Sequence, residues 1–203
     1  YYPDFNRILK RYGSVQIRNV ATLGGNIATA SPIGDSLPLL LSLDAIIAIE
    51  SFNKKMVMPL KDFFTGYRKT KLKKGQFIRS IRIPIFNKNI FKAYKISKRI
   101  DDDISSVCAS FNLAIVNKKI KNIKIAYGGM AATPKRAVYC EKILLNSNFS
   151  EDIILKAQKS LEKDFQPIDD MRASKDYRLE IAKNLLTKCF AEIKKNQLIR
   201  LSY

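Results

Sequence analysis

Alternating apolar residues in the middle of the chain constrain its fold most strongly. Between positions 107 and 116 every second residue is apolar: Val107, Ala109, Phe111, Leu113 and Ile115. A period of two is typical of a β-strand with one buried face. The polar turn 117–119 leads into a second alternating run at 120–127, and 91–98 reads as another strand. The pattern therefore predicts three antiparallel strands.

The period changes after the predicted sheet. Helices are expected at 133–145, at 150–163 with Ser150 as the cap, and at about 175–195. The last helix carries one apolar stripe: Leu179, Ala182, Leu185, Leu186, Cys189, Phe190 and Ile193. Strands followed by helices predict an α+β fold in which the helices pack on one face of the sheet.

The first part of the chain has its own pattern. A helix is expected at 1–12, ended by Gly13, and a hairpin at 45–58 around a polar turn. A short helix or turn follows at 61–67, and a strand at 77–83 stops at Pro84. Because 84–89 is the best boundary in the sequence, we expect one domain at 1–86 and a second at 87–203.

Composition excludes several classes of function. The net charge is +19, but the basic residues are dispersed, so specific nucleic-acid binding is not expected. No apolar run approaches the length of a membrane span, and no secretory signal is apparent. Neither a C-x-x-C pair nor any histidine is present, which argues against a zinc or iron–sulfur site on this chain. The three isolated cysteines are expected to be buried in a cytoplasmic protein: Cys108, Cys140 and Cys189.

The segment 15–38 carries the most specific chemistry. Gly24 and Gly25 are adjacent, and adjacent glycines allow positive φ and close approach of the backbone to a ligand. Asn26, Thr29 and Ser31 add short polar side chains suited to a phosphate or sugar hydroxyl. The pattern is compatible with a cradle for a phosphate-bearing cofactor, and a simple turn is the alternative.

These residues resemble the second flavin-binding motif of the FAD domain in xanthine dehydrogenases and related molybdenum hydroxylases. The resemblance extends from about Tyr12 to about Leu186, through blocks in the order of a bacterial xanthine dehydrogenase small subunit. The blocks are QIRNVATLGGNIATASPIGDSLPLLLSLDA, DFFTGYRKTKLKKGQFIRSIRIP, KISKRIDDDISSVCASFNL, IAYGGMAATPKRA and DMRASKDYRLEIAKNLL. It implies the second half of a PCMH-type FAD-binding domain at 1–86, followed by the flavoprotein C-terminal domain.

The resemblance also implies a set of site residues, all of them cofactor-binding and none catalytic or metal-ligating. It assigns five residues to the phosphate and ribityl region of FAD: Thr22, Leu23, Gly24, Gly25 and Asn26. Further contacts fall on Asp35, Ile78 and Lys95, with Tyr12 against the adenine and the acidic loop 101–103 near the isoalloxazine.

Each of these residues also has an ordinary structural alternative. Tyr12 would then be a core anchor, and Asp35 or Ser36 would cap a helix with Pro38 in its first turn. Lys95 would be an exposed strand lysine, and the loop 101–103 a solvated turn.

The implied function is electron transfer in a xanthine dehydrogenase-type oxidoreductase, from iron–sulfur clusters through FAD to NAD. The implied partners are a large subunit with the molybdenum cofactor, the iron–sulfur domains and the first half of the FAD domain. Because that half has no counterpart here, the chain is expected to be a fragment that is inactive alone. The alternatives are a flavoprotein of another molybdenum hydroxylase, acting on carbon monoxide, an aldehyde or nicotinate, or a remnant or assembly subunit that binds no flavin.

Overall fold

The computed structural model of the protein describes residues 1–196. The predicted second domain therefore extends beyond the described residues at 197–203. Within them lie the helices α1 (Pro3–Lys10), α2 (Val15–Val20), α3 (Leu23–Thr29), α4 (Ser36–Ser42), α5 (Val138–Leu144), α6 (Glu151–Asp164) and α7 (Lys175–Lys195). The strands are β1 (Ile46–Ser51), β2 (Lys54–Pro59), β3 (Phe64–Gly66), β4 (Lys69–Thr70), β5 (Phe77–Arg82), β6 (Ile90–Ile96), β7 (Val107–Val116), β8 (Lys119–Gly128) and β9 (Lys135–Arg136). The predicted α+β class is confirmed.

The first sheet has the order β2–β1–β5, with both neighbours antiparallel to β1. Ile47 lies opposite Met58 on one side and Ile81 on the other, and it is fully buried. The predicted hairpin and the strand before Pro84 are both present. The segment 61–67 differs from its prediction, because a short 3₁₀ turn at Leu60–Asp62 leads into β3, which pairs with β4.

The second sheet has the order β6–β7–β8–β9 and contains the three predicted strands. In its centre Phe111 of β7 lies opposite Ile125 of β8. The two-residue strand β9 was not predicted, and it delays the helix expected from Thr133 until Val138. The physical reason is the pairing of β9 with the end of β8, which continues through a hydrogen bond from Ala137 N to Ile125 O of 2.9 Å.

Strand β7 is buried on both faces, so the prediction of a single buried face is wrong. The apolar face packs against residues of α5, α6 and α7 in one hydrophobic core. The opposite face is covered by α4: Ser110 Oγ donates to Pro38 O at 2.7 Å, and Asn112 Nδ2 donates to Ser42 O at 3.0 Å. Polar residues can face this interior because each finds a backbone acceptor on α4.

Helix α4 joins the two parts of the chain. All seven of its residues are buried, and its leucines form a second core with apolar residues of α1 and β1. That core also contains Ala93, Cys108 and Ala126 from the second sheet. The N-terminal end of α4 is thereby fixed against the start of β7, where Cys108 contacts the backbone of the predicted site residue Asp35.

Helices α6 and α7 and the three cysteines lie where they were expected, although the Ser150 side chain makes no capping hydrogen bond to α6. Helix α2 was not predicted. Helix α7 has Ser174 as its N-cap, with Ser174 Oγ accepting from Tyr177 N. Its predicted apolar stripe packs in the core between the second sheet and helices α5 and α6. Cys108, Cys140 and Cys189 are all buried, reduced thiols. None of the helices in residues 1–196 combines the length and apolarity needed to cross a bilayer.

Candidate functional site

The adjacent glycines lie in a helix, so the predicted glycine turn is wrong. Gly24 and Gly25 occupy the first turn of α3, and neither has positive φ. Thr22 is the N-cap, with its Oγ1 accepting from Gly25 N at 2.9 Å. A threonine before the glycines is the N-cap signal that was overlooked, and Ile27 holds the other side of the helix in the core.

The two glycines have different surroundings. A Cβ built on Gly24 would lie 3.6 Å from Ile78 O, an ordinary contact, whereas one built on Gly25 would lie 2.9 Å from Thr22 Oγ1. Gly24 and Ile78 therefore pack against each other and line neither cavity described below. Gly25 is the position at which a side chain would disturb the cap.

Two adjoining cavities of about 290 and 650 Å³ lie between α3, the end of α1 and the loop that precedes β7, and together we call them the cleft. Both are lined by the same four residues: Tyr12, Ala21, Thr22 and Asn26. Leu23 and Arg18 line the smaller cavity. The larger cavity adds further lining residues, among them Gly25, Ser31, Asp35, Arg68, Lys95, Asp102, Asp103 and Arg172.

A chain of hydrogen bonds orders one wall of the cleft. Ser36 Oγ donates to Asn26 Oδ1 at 2.5 Å, and Asn26 Nδ2 donates to Tyr12 Oη at 3.0 Å. Burial raises the pKa of Tyr12, the charge of Asp35 adds to the rise, and the Asn26 hydrogen bond opposes it. Tyr12 is therefore a neutral, partly exposed phenol that lines both cavities.

A buried ion pair forms the floor. Lys95 Nζ lies 2.7 Å from Asp35 Oδ2, and the two side chains are 1% and 5% exposed. Ser105 Oγ donates to the other carboxylate oxygen at 2.5 Å, and Lys95 Nζ also donates to Arg11 O at 2.9 Å. The alternative of an exposed strand lysine is therefore wrong. Asp35 does occupy the N-cap position of α4, but its side chain makes no capping hydrogen bond and pairs with Lys95 instead.

The acidic loop reaches the mouth of the cleft with two of its three carboxylates. Asp102 and Asp103 line the larger cavity, and Asp101 does not. Asp103 accepts from Arg99 N at 2.8 Å and from Ile104 N at 2.9 Å. These two hydrogen bonds hold the pKa of Asp103 below its usual value, and the one from Arg99 N–H has the larger effect. Asp103 thus shapes the loop, whereas Asp102 is exposed and has positive φ.

Sequence reasoning overlooked several residues of the cleft. Ser105 lies two residues after the acidic loop, and Arg68 and Arg172 both belong to blocks that carry the resemblance. Arg18 is also part of the wall, with Nη1 donating to Gly13 O at 2.5 Å. Residues 1–196 contain no cluster of three or more His, Cys, Asp or Glu side chains able to hold a metal ion.

Two family models match nearly the whole chain. Residues 1–86 match the FAD binding domain in molybdopterin dehydrogenase, and residues 92–193 match the CO dehydrogenase flavoprotein C-terminal domain. The first match ends at residue 86 and the second begins at residue 92.

Relatives of several named activities are similar in sequence. The glyceraldehyde dehydrogenase medium chain of Sulfolobus acidocaldarius is 32% identical over 94% of this chain and 68% of its own length. The nicotinate hydroxylase of Emericella nidulans is 38% identical over 73% of this chain, and the xanthine dehydrogenase of the same organism is 35% identical over 81%. This chain spans only 12% of each of those two longer proteins.

The fold is also found in solved structures. A chain of the carbon monoxide dehydrogenase from Hydrogenophaga pseudoflava superposes with a TM-score of 0.83 at 25% identity, covering 87% of this chain and 62% of that one. Similarity in sequence and in fold leads to the same group of oxidoreductases. The chain belongs to the FAD-binding flavoprotein family of the molybdopterin-dependent dehydrogenases, the molybdenum hydroxylases.

Proposed function

We propose that this chain supplies one wall of an FAD site and takes part in electron transfer within a xanthine dehydrogenase-type enzyme. The observation that carries the proposal is the cleft. It brings together seven of the nine residues expected at the cofactor: Tyr12, Thr22, Leu23, Gly25, Asn26, Asp35 and Lys95. They come from four separate segments of the sequence, and their convergence on one concave surface is what a binding site requires.

The chemistry of the lining fits a flavin dinucleotide. Thr22, Ser31 and Asn26 offer hydroxyl and amide groups suited to sugar hydroxyls and phosphate oxygens. Arg68 and Arg172 add guanidinium groups, which pair well with phosphate. At Gly25 a Cβ would crowd Thr22 Oγ1, so the absence of a side chain keeps this part of the wall open.

When bound, FAD supplies the electron-transfer chemistry, and the protein binds, orients and tunes it. Lys95 is neutralised by Asp35 at 2.7 Å, so the pair presents a dipole to the cleft and no net charge. Asp102 then supplies an exposed negative charge at the mouth of the cleft. We assign to it the electrostatic tuning of the bound cofactor, because negative charge disfavours an anionic reduced flavin.

The substrate and partners belong to the same proposal. We infer xanthine as the substrate and NAD as the acceptor. Electrons would arrive from molybdenum through iron–sulfur clusters on partner chains or other segments. A flavoprotein of carbon monoxide, aldehyde or nicotinate type is the second candidate, supported by the sequence similarity to the glyceraldehyde and nicotinate enzymes. We place the assembly in the cytoplasm, in keeping with its three reduced cysteines.

The test measures flavin content and flavin reduction in the assembled enzyme. We expect stoichiometric FAD in the assembly and weak FAD binding by the 203-residue chain alone, because the resemblance assigns further pyrophosphate donors to a glycine-rich loop outside this sequence. Xanthine should bleach the flavin absorbance under anaerobic conditions. An assembly without flavin would contradict the proposal, and bleaching by nicotinate or an aldehyde but not by xanthine would favour the second candidate.

A further inference from the structure

Arg178 is a buried arginine that the flavin site as described does not use. It lies in the first turn of α7, and its side chain is only 2% exposed. Its Nη1 donates to Ser106 O and, at 3.1 Å, to Gly129 O, while its Nη2 donates to Asp170 Oδ1 at 2.6 Å. One guanidinium therefore joins α7 to three separate segments of the chain.

Two of these segments lead directly to the cleft. Ser106 follows Ser105, which donates to the Asp35 carboxylate in the floor. Gly129 N donates to Pro32 O at 2.8 Å, and both neighbours of Pro32 line the larger cavity. The contacts of Arg178 thus fix the backbone immediately behind two parts of the cleft wall.

The third segment is the turn 170–173. Asp170 Oδ1 accepts from Arg172 N at 2.8 Å and from Ala173 N at 3.1 Å, in addition to Arg178. Lys98 Nζ donates to Met171 O at 2.8 Å from outside the turn. Arg172 is the side chain that this turn presents to the larger cavity, and its Nη1 lies 3.7 Å from Asp170 Oδ2.

The backbone around Arg178 is shaped to admit it. Gly129 has φ of +83°, a conformation that favours glycine. A Cβ on Gly129 would lie 2.3 Å from Ser106 O and 3.0 Å from Arg178 Nη1. A residue other than glycine would therefore push apart two of the segments that the guanidinium holds together.

Stability alone is a weak explanation for this arrangement. Burying a guanidinium has a large desolvation cost, and a well-packed apolar side chain of similar volume is often as stabilising. Moreover, Arg178 Nε is buried without a hydrogen-bond partner among residues 1–196. What an apolar side chain cannot do is hold three segments through a rigid, planar set of donors.

We propose that Arg178 is a positioning residue, which with Asp170 holds the Arg172 guanidinium at the cleft to receive a phosphate group of a dinucleotide. The proposal rests on the proposed function and adds a subsite to it. The phosphate could belong to FAD or to the pyridine dinucleotide that accepts the electrons. Because Asp102 and Asp103 line the same cavity, net charge alone would not retain a phosphate there, so the orientation of Arg172 matters.

The test uses the assembled enzyme with Arg172→Gln, Asp170→Asn and the double variant, measuring the Kd for FAD and, with xanthine as the reductant, the KM and kcat for NAD. We expect Arg172→Gln to raise the Kd for FAD or the KM for NAD about tenfold, equal to about 1.4 kcal/mol, with kcat unchanged. A change in Kd alone assigns the phosphate to FAD, and a change in KM alone assigns it to the pyridine dinucleotide. Asp170→Asn should weaken binding of the same ligand and have no further effect in the Arg172→Gln background.

The same binding measurements are made on Arg178→Lys and Arg178→Met. If Arg178→Met does not fold, Asp170→Asn still tests whether the turn must be held in place. Lysine should preserve part of the binding that methionine loses. Arg79→Gln is the control, because Arg79 pairs with Glu50 on the first sheet and lines neither cavity. Unchanged binding in Arg172→Gln, or additive losses in the double variant, would overturn the inference while leaving the flavin site intact. A wild-type assembly without FAD would overturn the proposed function and this inference together.

Discussion

Lys95 Nζ and Asp35 Oδ2 are 2.7 Å apart in a site from which water is almost excluded. One residue lies on β6 of the second sheet and the other directly precedes α4, so the pair links the two parts of the chain. Ser105 Oγ and Arg11 O complete the hydrogen bonding of the carboxylate and the ammonium. The floor of the cleft is therefore set by one satisfied polar cluster.

Removal of one charge from this pair should destabilise the protein strongly. Lys95→Met leaves a buried carboxylate without its counter-charge, and we expect a loss of about 3–5 kcal/mol in the free energy of unfolding. The combination of Lys95→Met with Asp35→Asn should recover part of that loss, because it removes the unpaired charge. Urea unfolding followed by circular dichroism provides the measurement.

The pair of Arg79 and Glu50, in which the arginine side chain is 61% exposed, is the matched control. Arg79→Met should change the free energy of unfolding far less than Lys95→Met, because solvent screens an ion pair at the surface. If Lys95→Met were no more destabilising than Arg79→Met, the ion pair would have no structural role.

The two glycines of α3 should respond differently to alanine. Gly24→Ala places a Cβ in ordinary contact with Ile78 O, and alanine favours the helix, so stability should hold or rise by up to about 1 kcal/mol. Gly25→Ala forces Thr22 Oγ1 to move and weakens a cap worth about 1 kcal/mol. We expect the Gly25 variant to be the less stable of the two and to retain less FAD in the assembled enzyme.

Gly25→Val extends this comparison with a larger side chain and should abolish flavin retention while the second sheet remains folded. Flavin absorbance after gel filtration measures retention, and thermal unfolding measures stability. Full flavin occupancy in Gly25→Val would show that α3 does not form the cofactor wall.

The second sheet was the part of the fold that sequence could predict best. The limits of β7 agree with the alternating pattern, because every second side chain enters an apolar core. The polar residues between them are buried too, and the pattern could not reveal it. Ser110 and Asn112 are polar, and from sequence they would be placed on a solvent-exposed face. They face the interior because α4, about 70 residues earlier in the sequence, supplies backbone acceptors for their side chains.

The candidate site was only partly predictable for the same physical reason. The adjacent Gly24 and Gly25 pointed to the segment that lines the cleft, but they predicted a turn where the backbone is helical. Thr22, which caps this helix, is the residue that favours the helix over the turn. The pairing of Asp35 with Lys95 spans 60 residues, and no local pattern contains it. Arg172 became part of the site only through its turn, which Asp170 and the buried Arg178 hold in place.

Acid should weaken the turn 170–173 through Asp170. Burial tends to raise the pKa of this carboxyl, but the N–H groups of Arg172 and Ala173 and the guanidinium of Arg178 outweigh it and lower the pKa. A lowered pKa in the folded state adds stability above the ordinary value of about 3.9, and that stability is lost as pH falls through the folded value. The difference in unfolding free energy between wild type and Asp170→Asn should therefore be largest near neutral pH and shrink below about pH 4. A difference that stays constant from pH 7 to pH 3 would contradict the assignment.

The acidic loop gives the last prediction, which separates electrostatic tuning of the flavin from simple solvation. A unit charge about 6 Å from the flavin ring, at an effective dielectric near 20, acts with roughly 2–3 kcal/mol before screening. Replacing the carboxylates of Asp101, Asp102 and Asp103 with amides should therefore raise the flavin midpoint potential by roughly tens of millivolts. NAD reduction should slow, since a higher potential makes the reduced flavin a weaker donor.

Asp102→Asn alone should account for most of this shift. Asp102 lines the cleft and is exposed, whereas Asp103 is engaged by two backbone N–H groups and Asp101 does not line the cleft. The control is Lys73→Gln with Lys74→Gln, a charge change on residues that line neither cavity. Potentials of the assembled enzyme are measured at low and high salt, and the shift should shrink as salt screens the charge. Equal potentials in wild type and the triple variant would make the loop an ordinary solvated turn and would remove Asp102 from the cofactor site.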